Sequence, residues 1–324
     1  MRLLRKVILG LMACMVCGHM PANAQEWPSR PIRIVVVFPP GGSSDIVARV
    51  LAETIAPRLN ARIVVDNRPG AGGTVAALHV AQQPADGYTL MLSNTAPIVT
   101  SPPIYRQAGY DPMNGFTHIA YIGATPMVVV THPSVPARDM TSLMAWMRAQ
   151  RTPPVYGTSG VGSVGHILGS MFETRTGIAL THAPYRGAQP MQTDLMGGSI
   201  LLSFDTLPEN VENVRAGRTR AYAVSGAVRS PMLPEVPTTA EAGLPGLLAE
   251  NWLGLAGPAG MPAPVVARLH SEVNWALTQQ SMLDRLAQFG ITPGTMSQPE
   301  FVEFVRTQIG TMGEAVKAMN LSVN

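Results

Sequence analysis

The chain has 324 residues, 46% of them hydrophobic and only 13% charged, with a formal net charge of +3. So few and such scattered bases exclude the basic face that a nucleic-acid partner needs. Its two cysteines, Cys14 and Cys17, stand so near the start that no thiolate metal site or cysteine nucleophile is expected further on, and the length suits two lobes better than one core.

Arg2, Arg5 and Lys6 precede an apolar run at 7–16 and then Ala22-Asn23-Ala24. That order reads as a secretory signal peptide cleaved before Gln25. A buried N-terminal helix is the alternative. Leu11-Met12-Ala13-Cys14 loosely resembles a lipid-attachment box, but Ala22-Asn23-Ala24 fits cleavage better. Without residues 1–24 no cysteine remains, and the 23 Lys and Arg less those three equal the 20 Asp and Glu. The mature chain is therefore expected to be near neutral. No later stretch reaches the roughly 18 apolar residues of a spanning helix. A secreted chain of this size without disulfides fits the Gram-negative periplasm.

In chain order, residues 32–38 (IRIVVVF) read as a buried strand between prolines. Pro39-Pro40-Gly41-Gly42 ends it, and Ser43 or Ser44 is expected to cap a helix carrying Ile46, Val47, Val50 and Leu51. A strand at 62–66, a helix at 74–83 and a strand at 88–93 follow. The alternation predicts an α/β fold with a parallel sheet. It resumes with a strand at 127–131, a helix at 141–150, a strand at 155–158, a glycine-rich loop and a helix through Phe172 in which Val164, Ile167, Leu168 and Met171 share one face. Strands at 179–184, 200–204 and 220–224 come next. Helices at 264–279, 281–288 and 299–319 close the chain, the last capped by Ser297.

The halves share a pattern: strand, glycine-rich turn, helix. Open α/β sheets bind ligands at such turns, and two facing lobes make a cleft. The first turn, Pro39 to Asp45, has glycines that let the backbone approach a ligand. Its helix points free N–H groups and about half a positive charge at that ligand. A carboxylate suits such a site without any arginine. The second turn runs Thr158-Ser159-Gly160-Val161-Gly162-Ser163-Val164-Gly165-His166. Either turn alone reads equally as a capped tight turn; two in matching places favour a shared anion site. His166 is expected to reach the ligand or to be a hydrogen-bonded structural histidine. Asp45 is expected to cap its own helix or to fix the loop.

Residues 160–165 also match G-x-G-x-x-G, but the next strand ends His182-Ala183-Pro184-Tyr185 without the acid a dinucleotide site requires. No G-x-S-x-G, H-E-x-x-H or P-loop occurs. A catalytic triad assembled in space stays open. No cofactor and no metal is expected.

Several stretches together resemble the Bug or TctC-type extracytoplasmic receptors of tripartite tricarboxylate transport systems, over essentially the whole mature length. They are Pro40 to Arg49, Asp66-Asn67-Arg68-Pro69-Gly70-Ala71-Gly72-Gly73, Ala85-Asp86-Gly87-Tyr88-Thr89-Leu90, the 156–166 loop, Pro184-Tyr185-Arg186-Gly187, Phe204-Asp205, and Pro237-Thr238-Thr239-Ala240-Glu241-Ala242-Gly243. The resemblance implies a two-lobed Venus-flytrap fold of the type II periplasmic-binding class. It also implies a carboxylate held by main-chain amides and ordered waters, with Ser93, Asn94, Thr95 and Asp205 lining the rest of the pocket. Ser43-Ser44 replaces the family's frequent Gly-Thr, Arg186 stands where lysine is common, and Gly165 stands where serine or threonine is common, implying extra cleft volume. The implied ligand is a di- or tricarboxylate, an acidic amino acid or an aromatic acid.

The expected site is Phe38, Pro40, Gly41, Gly42, Ser43, Ser44, Asp45, Ser93, Asn94, Thr95, Thr158, Ser159, Gly160, Gly162, Ser163, His166, Tyr185 and Asp205. One lobe is expected at 25–125 with 228–324 and the other at 126–227. The crossings fall near Ala124-Thr125-Pro126 and Ser225-Gly226-Ala227, where small residues permit a hinge. The expected function is a monomeric periplasmic receptor that catalyses nothing and passes a small organic carboxylate to permease subunits. The alternatives are a ligand-presenting sensor subunit, or a secreted hydrolase or nucleotide-dependent enzyme.

Overall fold

Ile32, Ile34, Val35 and Val36 are buried, and only Arg33 of strand β1 (Ile32–Val36) reaches solvent. A strand so apolar on both faces needs a layer on each side. β2 (Ile63–Asn67) and β3 (Thr89–Asn94) flank it, both parallel to it. The computed structural model describes residues 27–313 except 106, together with 316, 317 and 319. The expected signal peptide, its cleavage point and both cysteines lie outside the described residues.

The remaining strands are β4 (Phe116–Thr131), β5 (Val155–Thr158), β6 (Thr181–Pro184), β7 (Leu202–Thr206), β8 (Arg220–Val224), β9 (Glu250–Pro258) and the short β10 (Thr292–Pro293). The helices are α1 (Ser43–Leu59), α2 (Thr74–Ala81), α3 (Met140–Arg148), α4 (Val164–Thr176), α5 (Ala188–Met196), α6 (Val211–Arg215), α7 (Ala263–Ala276), α8 (Gln280–Gln288) and α9 (Gln298–Gln308). Ser297 caps α9 in a capping box with Glu300, as the sequence predicts, but the α-helix stops at Gln308 and a π-turn over Ile309–Gly313 follows.

β4 organises the molecule. Its first part, Phe116 to Pro126, pairs antiparallel with β9; its second, Met127 to Thr131, pairs antiparallel with β7 and β8. One strand thus belongs to two sheets. The first sheet runs β2-β1-β3-β9-β4, with β10 on β4. The second runs β6-β5-β7-β4, with β8 also on β4. The expected parallel sheet is therefore mixed. β1, β2 and β3 are parallel, as are β5, β6 and β7, while every pairing of β4 and β9 is antiparallel. The reading of 127–131 as a whole strand missed eleven residues, because Phe116 to Pro126 is buried on both faces and shows no alternation.

Each sheet is covered on both sides. α1, α7 and α8 pack on one face of the first, with Leu51, Ile55, Leu269, Val273 and Leu286 in one core, while Ala76, Val80, Phe301 and Val305 of α2 and α9 cover the other. α3 and α4 cover one face of the second sheet through Leu143, Met147, Leu168 and Phe172; α5 and α6 cover the other through Met191, Leu195 and Val211. Two three-layer lobes result. The stretch expected to return to the first lobe at 228 packs on the second: Leu233 and Val236 join the core with α5, and Leu244, Leu247 and Ala249 join the core with α3 and α4. Pro126 O also accepts the Leu207 N–H, 3.0 Å, where β4 changes sheet.

Candidate ligand-binding cleft

The turn between β1 and α1 is held from below. Gly41 takes φ +86°, a left-handed angle that suits glycine. Its N–H donates to the Asp45 carboxylate at 3.0 Å, and Arg49 pairs with the same group at 2.9 Å. Burial alone would raise the Asp45 carboxyl; Arg49 and the Gly41 N–H hold it below its usual range. Asp45 therefore fixes the loop, one of its two expected roles. Capping by Ser43 or Ser44 is corrected: Gly42 is the N-cap, with no side-chain cap bond, and both serines lie in the first turn of the helix. Asn67 completes the support by donating to Phe38 O at 3.0 Å.

The second turn is held by histidines. Ser163 caps α4 by accepting the His166 N–H, and the Gly162 N–H donates to His166 Nδ1 at 3.2 Å. His182 on β6 stacks on His166 and shares a 2.7 Å hydrogen bond with Thr158 Oγ1. Burial pushes the His166 imidazole down to about 4, and burial with the neighbouring His166 pushes His182 down to about 3. Both rings are neutral near pH 7. His166 thus braces its own loop.

A third turn, absent from the expected site apart from Tyr185, completes the wall. Gly187 (φ +102°) donates to Ser159 O at 3.1 Å and starts α5. A Cβ on Gly187 would lie 3.5 Å from Pro39 Cγ, so the lobes meet there.

These turns enclose a cavity with about 740 Å³ of empty space, part of it open to solvent. Of the expected residues, Phe38, Pro40, Gly42, Ser43, Ser44, Ser159, Ser163 and Asp205 line it. Gly160 and Tyr185 line an adjoining part of the cleft beyond the Pro39–Gly187 contact. Gly41, Asp45, Ser93, Asn94, Thr95, Thr158, Gly162 and His166 line neither part. Asn94 and Thr95 act one layer down: Asn94 Oδ1 accepts the Ala96 N–H at 3.1 Å, and Thr95 Oγ1 bridges Glu250 O and the Trp252 N–H. Gly162 faces the other lobe, where a Cβ would come within 2.7 Å of Ser101 Oγ. Tyr105 OH donates to Val161 O at 3.1 Å on the same side. Gly165 adds no cleft volume, since a Cβ there would strike Phe204 O at 2.2 Å.

The lining also includes Met127, Arg186, Gln189, Glu209 and Asn251, which the residue-by-residue reading missed. Arg186 and Gly187 had a signal in the Pro-Tyr-Arg-Gly run. Glu209 and Asn251 had none, because only the fold brings them to the cleft.

Three helices, α1, α4 and α5, present their first residues to this cavity. Each contributes about half a positive charge at its N-terminus. Two acids answer them. Asp205 on β7 is 1% exposed and accepts from Gln192 Nε2 at 2.8 Å and Asn210 Nδ2 at 3.0 Å. Burial raises its carboxyl nonetheless. Glu209 keeps part of its side chain open to the cleft, and its Oε1 would lie 3.8 Å from a Cβ on Gly42, at the α1 N-terminus of the other lobe. The protein around that carboxyl, with the Asp205 charge beside it, pushes it up to about 8. Among the described residues no group of three or more His, Cys, Asp or Glu is placed to hold a metal.

Two α/β lobes, a shared strand and a cleft walled by helix N-termini define the class: a solute-binding protein of the two-lobed periplasmic type. The chain belongs to the tripartite tricarboxylate transporter family receptors, whose family model matches residues 47–321. It is 34% identical to Protein BugT of Bordetella pertussis over 290 residues, 89% of each chain. Among solved structures it is similar to a Rhodopseudomonas palustris protein solved with adipate (TM-score 0.87, 34% identity, covering 92% of this chain and all of the other). MatC of the same organism, solved with bound malate, superposes with a TM-score of 0.84 at 29% identity, over 90% of this chain and all of the other. The periplasmic binding protein BugD matches with a TM-score of 0.85 at 30% identity, over 92% and 100%.

Proposed function

We propose that this chain is a periplasmic receptor that captures a small organic carboxylate for uptake by a tripartite tricarboxylate-type transporter. The observation that carries the reading is the convergence of three helix N-termini, from both lobes, on one cavity whose only basic side chain, among the described residues, is Arg186. Backbone amides pointing inward at a partial positive charge select an anion. The adipate and malate held by two relatives favour a carboxylate. In this reading the ligand lies between Gly42-Ser43-Ser44 on one side and Ser159, Ser163, Val164 and Ala188 on the other, with Phe38 and Met127 as apolar walls. Residues 1–24 direct export and are removed, and the cleft closes around the ligand before a membrane partner meets it.

A thermal-shift screen of the purified protein against carboxylates tests this. A ligand at a hundred times its Kd adds about 2.7 kcal/mol of stability. Stabilisation by one or a few small carboxylates is the expected result. A protein that no carboxylate stabilises, but that a nucleotide or an uncharged sugar does, has another function.

A further inference from the structure

We propose that Glu209 sets the ligand class: the cavity is built for a carboxylate that also carries an ammonium group, held against Glu209, Asp205 and Asn251. This rests on the carboxylate reading above and narrows it.

The cavity's anion-binding features sit at the α4 and α5 N-termini and at Arg186. The α1 N-terminus already faces an acid, Glu209, across the cavity. A Cβ on Gly42 would lie 3.8 Å from Glu209 Oε1, which places the acid at that helix end. Asp205 lines the same cavity from β7, with its carboxylate held by Gln192 and Asn210.

Asn251 on β9 adds an independent observation. It is only 7% exposed, lines the cavity, and its Oδ1 has no hydrogen-bond partner. Buried polar atoms are nearly always paired. An unmet acceptor on a residue of the cavity that both acids line asks for a donor, and an ammonium supplies three.

A ligand bearing only carboxylates would bring a second anion to this end, and like charges sharing a buried site repel. A zwitterion avoids the conflict, with its carboxylate on the α4 and α5 amides and its ammonium on the acids. Burial, with Asp205 beside it, raises the Glu209 carboxyl in the free protein. An ammonium beside it favours the ionised form, so binding releases a proton. The charged groups facing Glu209 are Asp205 on β7 and the α1 N-terminus, with Arg186 lining the same cavity.

The test is isothermal titration of wild type and Glu209→Gln with three matched pairs: succinate and aspartate, glutarate and glutamate, adipate and 2-aminoadipate. Titration in buffers of different ionisation enthalpy counts protons. In at least one pair the amino member is expected to bind wild type tenfold or more tighter than its partner, releasing a proton. Glu209→Gln should shrink that ratio by about tenfold or more, since removing one partner of a buried charge pair costs that much or more. Equal or tighter binding of the plain member in every pair, or a ratio unmoved by the substitution, removes the inference and leaves the carboxylate reading standing. No binding by either member of any pair, with no stabilisation by other carboxylates, removes both. Should Glu209→Gln fail to fold, Asn251→Ala decides with the same pairs: a ratio that shrinks supports the proposal, and an unmoved ratio overturns it.

Discussion

His166 and His182 lie face to face, their ring centroids 3.9 Å apart and their planes 7° from parallel. Burial lowers His166 to about 4, and burial with His166 beside it lowers His182 to about 3. Unfolded histidine titrates near 6.5. Between that value and the folded ones the unfolded chain binds more protons, so stability rises with pH. The contribution is complete above pH 6.5 and is lost as pH falls toward 4. Urea unfolding at pH 7.0 and 4.5 should show His182→Gln losing less stability on acidification than wild type, by on the order of 2 kcal/mol. Equal losses would mean that the stack does not govern the titration. Buried His118, also lowered to about 4, acts in the same window, so the comparison between proteins is the measurement.

Gly162 has φ +79° and sits against Ser101 of the opposite lobe. A valine there is strained and drives that contact apart. Gly162→Val should therefore destabilise by about 1–3 kcal/mol. Tyr105→Phe, which deletes only the bond to Val161 O, should cost about 1 kcal/mol. Denaturant midpoints distinguish them. A Gly162→Val protein of full stability that merely fails to bind would return Gly162 to the ligand surface.

Gly42 and Gly165 make the opposite pair. Gly42 has an ordinary φ of −79°, and a Cβ there finds nothing closer than 3.8 Å. Gly42→Val should fold with a change under about 1 kcal/mol and fill the cavity, abolishing carboxylate binding in titration. Gly165→Ala puts a methyl 2.2 Å from Phe204 O. It should lower the melting temperature by several degrees, because overpacking commonly costs about 1–3 kcal/mol.

The cleft is bridged at Pro39–Gly187 and Tyr105–Val161. A ligand held by amides of both lobes favours that closed arrangement, by its differential affinity for the two states. Small-angle scattering should show a smaller radius of gyration with saturating ligand than without. An unchanged radius would mean that the lobes do not move.

Local chemistry made part of this legible. Pro39-Pro40-Gly41-Gly42 and the glycines at 160–165 mark strand ends by their own conformational needs, so two of the cleft's three helix N-termini, those of α1 and α4, are legible. Strand direction could not. β9 (ENWLGLAGP) is buried on nearly every side chain and broken by two glycines, so it carries no period. Without it the sheet looked wholly parallel. Glu209 follows Leu207-Pro208 in a loop that resembles any other, and its meeting with Gly42, more than 160 positions earlier, exists only once two lobes fold and face each other. The resemblance puts Ser93-Asn94-Thr95 at the ligand, yet Asn94, at the end of β3, and Thr95 after it support the wall from beneath.

The Ser225 hydroxyl accepts the Met127 N–H at 2.9 Å and donates to Ala249 O. The stretch 127–249 therefore begins and finishes at nearly one point. Immediately outside it, Pro126 stands opposite Glu250 in an antiparallel ladder that continues through Phe116 and Pro258. Join 126 to 250 by a tight turn and β4 and β9 become an ordinary hairpin, with the first sheet uninterrupted. The second lobe is, in the path of the chain, a long excursion from the tip of that hairpin. This is the arrangement in which one unit can be lengthened, exchanged or lost while its host keeps every strand neighbour.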